Sequence, residues 1–367
     1  MKFIPVNEPS INKSDIDLVN KTLKENWVSS ESPYVKKFEE KLAIITNRNY
    51  CACVSSGTAA ITLAIKSLEI KKSDEVILPN FTIISGIEEL INIGCKLIFC
   101  EPNELTFNVE AEDVISKITN KTKLIIITHI YGLTVDIEKI LNFSKKKKIK
   151  IIEDAAEVQG NTINGKPCGS FGDISVFSFY ANKQITTGEG GACLTNSRSL
   201  DNKIKNLRNL YFDQNRRFIH KKKASNYRMS TMQAALGLSQ LSRLKQIAKQ
   251  RRKIGILYYK KLKQYKNDIQ LPILDNKFSK NIFWVFPIVL KTKHNANFVI
   301  KELKKKNIGS RNFFYPISNQ PIMSKKYFRK KSISLNIHKK GLYLPSSLNL
   351  NKSKINYIIK SLIEIIK

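Results

Sequence analysis

Residues 150–196, KIIEDAAEVQGNTINGKPCGSFGDISVFSFYANKQITTGEGGACLTN, restrict the fold more than any other stretch of the chain. The apolar pair Ile151 and Ile152 runs into Glu153 and Asp154, the pattern of a buried parallel strand that delivers carboxylates at its C-terminal edge. That edge is where ligands bind in open α/β sheets. A second apolar strand covers residues 174–179, and beyond it a single lysine, Lys183, stands in YANKQITTGEGG. In a chain with 63 lysines and arginines most lysines are surface residues. This one is set apart by small and polar neighbours and by Gly188, Gly190 and Gly191 behind it, a setting in which backbone approaches a ligand closely.

An amine nucleophile that forms a Schiff base needs a desolvated or cation-neighboured site to lower its pKa. A buried carboxylate such as Asp154 can keep a pyridinium nitrogen protonated, so that a pyridoxal ring acts as an electron sink. A hydroxyl such as Ser178 can hold the phosphate of the same group. The same residues, unaided, also fit a nucleotide-binding α/β domain.

The remainder of the chain has a βαβ rhythm. Strands are expected at residues 51–54, 75–79, 96–101 and 123–132, with helices at 55–68, 84–93, 111–118 and 136–144. Such alternation predicts a mostly parallel sheet with helices on both faces. The helix at 55–68 starts with Ser56, Gly57 and Thr58, and exposed N–H groups at such a start make an anion site. His129 and Tyr131 close the strand at 123–132, where the histidine reads as a structural residue. Past the lysine, a basic and aromatic loop leads into a helix at 231–241. A long helical segment then enters a smaller part with strands at 283–290 and 308–313 and helices at 297–306 and 352–366. The expected division is a large domain with an N-terminal arm at 1–240 and a smaller α+β domain at 241–367, linking helix included.

No apolar run approaches the roughly 20 residues of a membrane-spanning helix, and MKFIPVNEPS has no signal-peptide core. A cytoplasmic protein with no membrane partner is expected. The six cysteines lie mostly in apolar strand-like runs without CxxC spacing or histidine clusters, which predicts reduced core residues and no metal site. The net charge of +33 invites a nucleic-acid-binding or regulatory reading. Lysines are spread along the whole chain, however, and no basic arm, RNA-binding aromatic signature or zinc finger accompanies them. The abundance of Ile, Asn and Lys points instead to a compositional bias of the source genome, and no nucleic-acid partner is expected.

EDAAEVQG, GSFGDISVFSF and NKQITTGEGG, in this order and spacing, resemble the signature of the DegT/DnrJ/EryC1/StrS family, the pyridoxal-phosphate-dependent nucleotide-sugar aminotransferases. The resemblance runs from PVNEPS to LPSSLNL. It implies a fold-type I aminotransferase, with pyridoxal 5′-phosphate bound as a Schiff base to Lys183, Asp154 on the ring nitrogen, and Gly57, Thr58 and Ser178 at the phosphate. Many relatives carry glutamine at the position of Glu157, near the ring oxygen. Glutamate there resembles the subgroup that aminates C4 of GDP-4-keto-6-deoxymannose. UDP- and dTDP-linked keto sugars, and amination at C3, are the alternatives.

The resemblance also implies glutamate as amino donor and ping-pong kinetics, with Lys183 as the base of both half-reactions. NYRM matches a family element whose asparagine, here Asn226, reaches the partner's phosphate across a homodimer with shared active sites. Trp27, Ser29, His220, Arg228 and Tyr315 are candidates for substrate contacts, Trp27 equally so for ordinary packing. The family places an aromatic ring after the threonine of PNFTIIS, to stack on the pyridine. Here that residue is Ile83, so either an aliphatic side chain packs on the ring or Phe81 reaches over it. Ser318 stands where histidine is common in the family's sugar-side loop.

Overall fold

Strands buried on both faces carry unbroken apolar runs, and the central sheet is built from such segments. The computed structural model describes residues 2–213, 216 and 218–367. The strands of its first half are β1 (Tyr50–Val54), β2 (Glu75–Pro79), β3 (Lys96–Cys100), β4 (Thr122–Thr128) and β5 (Lys150–Asp154). After a small hairpin, β6 (Thr162–Ile163) and β7 (Lys166–Pro167), come β8 (Ile174–Ser178) and β9 (Gly191–Thr195). The large sheet has the order β1-β9-β8-β5-β4-β2-β3. All its pairings are parallel except those of β9, which runs antiparallel to both β1 and β8. Leu124–Ile127 of β4 are all buried. At roughly 1.5–3 kcal/mol each, their burial outweighs the ~1–2 kcal/mol per residue lost in ordering the backbone.

Helices α1 (Lys13–Lys24), α2 (Pro33–Ile45), α3 (Gly57–Ser67), α4 (Ile87–Ile93), α5 (Ala111–Ser116), α6 (Ile137–Lys146), α7 (Arg198–Arg208) and α8 (Thr231–Leu241) surround the sheet. The pleat of β1 sorts them into two layers. Cys51 and Cys53 belong to the apolar cluster that takes in α2, α5, α6 and α8, whereas Ala52 and Val54 belong to the one that takes in α3, α4 and α7. All six cysteines are free and buried, as expected.

Helix α9 (Leu244–Leu262) leads to the second sheet, β10 (Ile269–Gln270), β11 (Phe286–Leu290), β12 (Arg311–Asn312) and β13 (Gly341–Leu344), all antiparallel in the order β10-β11-β13-β12. Helices α10 (Ala296–Lys305), α11 (Ile333–Lys340) and α12 (Lys352–Ile366) accompany it. Two expected strands are shorter than their apolar runs. Phe283 has φ +52, a left-handed conformation that a ladder cannot hold, and β11 starts only at Phe286. Of residues 308–313 only Arg311 and Asn312 form a strand, and Ile308 makes a single bridge to Ile4. The N-terminal arm joins this smaller sheet's core: Ile4 is buried in it and exchanges main-chain hydrogen bonds with Asn307 and Gly309. Among the described residues no helix is long and apolar enough to cross a membrane.

Candidate active site

The C-terminal ends of β5 and β8 and the start of α3 meet at one edge of the large sheet. Asp154, the last residue of β5, is 3% exposed, and its carboxylate accepts the Ala156 N–H at 3.1 Å. Burial raises its pKa, against which Lys183 and His129 act. The energy of desolvating that charge is recovered when a cation sits beside it.

Three residues on, Glu157 is buried and accepts the Tyr131 N–H at 2.8 Å. Tyr131 holds φ +57, a conformation uncommon outside glycine, which aims that N–H at the carboxylate. Burial pushes the Glu157 carboxyl up to about 7.

Lys183 lies in the connection between β8 and β9, closed by hydrogen bonds between Phe179 and Gly190 and between Phe179 and Thr187. Its side chain is 10% exposed, with Nζ 3.8 Å from Glu157 Oε1 and 4.1 Å from the centre of the Trp284 ring. Burial lowers the pKa of this amine, opposed by Glu157 and Asp154 and reinforced by the charge of Arg251. The main chain of Asn182 is fixed from two sides: its carbonyl accepts from Asn7 Nδ2 at 2.8 Å and from Trp284 Nε1 at 2.9 Å.

Ser178 ends β8 beside the first turn of α3. A Cβ on Gly57 would come within 2.7 Å of Ser178 Cβ, so glycine is what permits the approach. Ser56 caps α3 by accepting the Ala59 N–H at 3.0 Å. Thr58 and Ser85 share a hydroxyl hydrogen bond of 3.0 Å. The glycines after Lys183 serve packing as well as access. A Cβ on Gly191 would strike the Ser56 carbonyl, so it is the approach of β9 to the α3 start that excludes a side chain there.

These residues enclose a cavity of about 360 Å³, walled opposite the large sheet by Trp284, Arg311, Phe314 and Tyr343. The donor set fits pyridoxal phosphate: helix-start N–H groups and hydroxyls, a desolvated carboxylate and a buried amine. Of the two alternatives for the ring-facing side chain, the cavity holds Ile83, which is 52% exposed. Phe81 is buried in an aromatic cluster against Tyr131, Phe313 and Phe314. His129 is buried: Nδ1 accepts the Val135 N–H at 3.0 Å and Nε2 lies 3.4 Å from Glu153. Among the described residues no cluster suited to a metal ion occurs.

Lys183, Asp154, Glu157, Ser178, Gly57 and Thr58 thus come together. The other candidates lie outside this cavity. Asn226 is exposed, with its Oδ1 3.3 Å from the Arg228 N–H, while the Arg228 guanidinium donates to Asn209 at 2.6 Å. His220 is exposed against the Leu210 carbonyl at 2.8 Å, and Tyr315 packs edge-on to His338. Trp27 is 40% exposed, and the Ser29 carbonyl accepts from Thr231 at 2.9 Å. Ser318 is buried, its N–H donating to Asn80 at 2.8 Å. Trp284, Arg251, Tyr180 and Tyr343 had not been singled out from the sequence. Nor is Arg311, which lines the cavity, singled out by the sequence reading.

Comparison with known proteins bears on this site. The model of the DegT/DnrJ/EryC1/StrS aminotransferase family matches residues 9–363. The GDP-perosamine synthase of Escherichia coli O157:H7 is 36% identical over 367 residues, 99% of each chain. That of Vibrio cholerae is 34% identical over 352 residues, 94% of each. The fold is shared with a putative sugar aminotransferase of Streptococcus pneumoniae solved in its PLP form: the TM-score is 0.89 at 23% identity, covering 99% of this chain and 98% of that one.

Proposed function

The chain belongs to the DegT/DnrJ/EryC1/StrS aminotransferase family and is a pyridoxal-phosphate-dependent sugar aminotransferase. From that premise we propose that it moves an amino group from glutamate to C4 of GDP-4-keto-6-deoxymannose, forming GDP-perosamine in the cytoplasm. The observation that carries the reaction type is the enclosed grouping of Lys183, Glu157 and Asp154 beside the Gly57–Ser178 gap. The choice of sugar is supported by the two GDP-perosamine synthases matched over nearly the whole chain, and by glutamate at position 157.

Gly57, Thr58 and Ser178 would hold the cofactor's phosphate, Asp154 its ring nitrogen, Glu157 its ring oxygen, and Lys183 its aldehyde carbon. Bound there, pyridoxal phosphate supplies an electron sink for the pair left when a C–H bond next to nitrogen breaks. The chain's own part is positioning and proton transfer. Asp154, desolvated at the end of β5, keeps its charge by holding a proton on the ring nitrogen. Lys183 Nζ, with its pKa lowered, takes the α-proton of the donor and in the second half-reaction delivers a proton to C4 of the sugar. Trp284 and Tyr343 keep water from the amine. The same reading assigns residues 1–240 to cofactor binding and 241–367 to the opposing wall.

A second copy completes the site in this proposal, supplying Asn226 to the phosphate. Asn226 is exposed, and the packed helices α1 and α8 carry the exposed apolar side chains Ile16, Leu23 and Met232.

The test is an absorbance scan of the loaded protein after glutamate, and again after the GDP-linked keto sugar. Bleaching followed by return, with GDP-perosamine detected by mass spectrometry, is the expected result. Bleaching without return would retain the aminotransferase and reject the GDP sugar in favour of UDP- or dTDP-linked ones.

A further inference from the structure

We propose that Arg251 is a positioning residue for Lys183: from outside the cavity it clamps the Asn182–Lys183 main chain and sets an unneutralised positive charge behind the amine. The inference rests on Lys183 being the reacting amine. Arg251 lies within α9, 3% exposed, and its guanidinium spans four separate parts of the chain. Nη1 donates to the Trp284 carbonyl at 2.9 Å and reaches the Ser346 carbonyl at 3.4 Å. Nη2 donates to the Lys183 carbonyl at 3.2 Å, with the Asn182 carbonyl at 3.4 Å and Asn7 Oδ1 at 3.5 Å. Nε is buried without a partner among the described residues.

Every one of these partners is a neutral oxygen. Arg208, Arg243 and Arg252, all more exposed, pair with Glu39, Asp15 and Asp275. Among the described residues Arg251 has no such carboxylate. Burying a guanidinium without a counter-charge is costly, and an apolar side chain of the same length would avoid that cost. A residue placed so expensively for packing alone is a poor solution, whereas its charge has a use at Lys183.

Asp154 and Glu157, from β5 and the turn after it, and Arg251 from α9 act on the amine, and Tyr180, Glu189, Arg311 and Tyr343 line the same cavity. Glu157, Asp154 and the Trp284 ring favour the ammonium form. Burial and Arg251 favour the free amine. Burial pushes the guanidinium down only to about 10, so it stays charged at neutral pH. The clamp makes the effect dependable, because a charge tied to the main chain of Lys183 keeps its distance from that residue.

The test is competitive acetylation of the apoprotein over a pH series, read on the Lys183 peptide by mass spectrometry. Arg251→Met should move the Lys183 labelling midpoint upward and slow labelling at neutral pH several-fold. Arg251→Lys, which keeps the charge without the fork, should keep the midpoint of the parent. Both variants should exchange amide hydrogens faster across residues 180–184. An unchanged midpoint in Arg251→Met, an equal rise in both variants, or unchanged exchange would overturn the proposal. Should thermal melts show Arg251→Met unfolded, Arg251→Gln takes its place. The parent decides as well: a Lys183 midpoint equal to that of the surface lysines in the same digest overturns the idea. Because labelling needs neither cofactor nor substrate, it separates from the proposed function, which falls if Lys183→Ala still turns over.

Discussion

Lys183 and Glu157 are a lysine and a glutamate 3.8 Å apart in a site that desolvates both. Burial alone favours neutral amine and neutral acid, while their attraction favours the charged pair, so a small perturbation shifts the proton between them. Two predictions belong here. Lys183→Ala should lower turnover by about 10⁴-fold or more and remove the long-wavelength absorbance of the loaded enzyme, and Asp154→Asn should cost on the order of 10²-fold. Steady-state rates and a spectrum check both. The second concerns pH. The Glu157 carboxyl rises from 4.5 to about 7 on folding, so between these values the folded protein keeps a proton that the unfolded chain has released. That contribution to stability is complete below the unfolded value and is lost as pH rises through the folded one. In the apoprotein, Glu157→Gln should therefore flatten the fall in Tm between about pH 4.5 and 7.

At the scale of elements, the site is where strand ends, a helix start and a hairpin coincide, and local sequence conveyed only some of them. Asp154, Ser178 and Lys183 were legible because all fall within one stretch whose glycines and apolar runs mark the turns. Gly57 and Thr58 were legible from a helix-start pattern. Trp284 was not, because FWVFPI reads as one strand and nothing local discloses that Phe283 turns the chain and swings the indole over the amine. Arg251 looks like any basic residue of an amphipathic helix; only tertiary packing buries it. Glu153 shows how an element end is secured. It accepts the N–H groups of Gly169 and Phe171, each at 2.8 Å, and the Ser175 hydroxyl. Arg48 donates to the carbonyls of Gly169, Phe171 and Gly172 in the same turn. Arg48→Met should leave those carbonyls without their donor and destabilise the protein by about 1–3 kcal/mol, measurable by urea unfolding.

At the scale of the whole molecule, the two-sheet architecture followed from the βαβ rhythm and the change of pattern after α8, whereas the antiparallel β9 did not. A strand covered on both faces looks the same in either direction. Assembly allows a fourth prediction. If a second copy supplies Asn226, mixing Lys183→Ala with Asn226→Ala protein should restore activity that neither has alone, since each mixed dimer contains one site with both native residues. No recovery after verified subunit exchange would reject the shared site.

The arm of residues 4–7 has a consequence for how the enzyme comes into being. It is held by main-chain bonds to Asn307, Gly309 and Ser346, and Asn7 reaches the carbonyl before Lys183. On the ribosome these early residues emerge long before the partners that fix them. The catalytic centre cannot be finished in a nascent chain, however completely its central sheet has folded. Premature termination ahead of residue 346 would thus leave the arm without its main-chain partner at Ser346, and the carbonyl before Lys183 held less firmly.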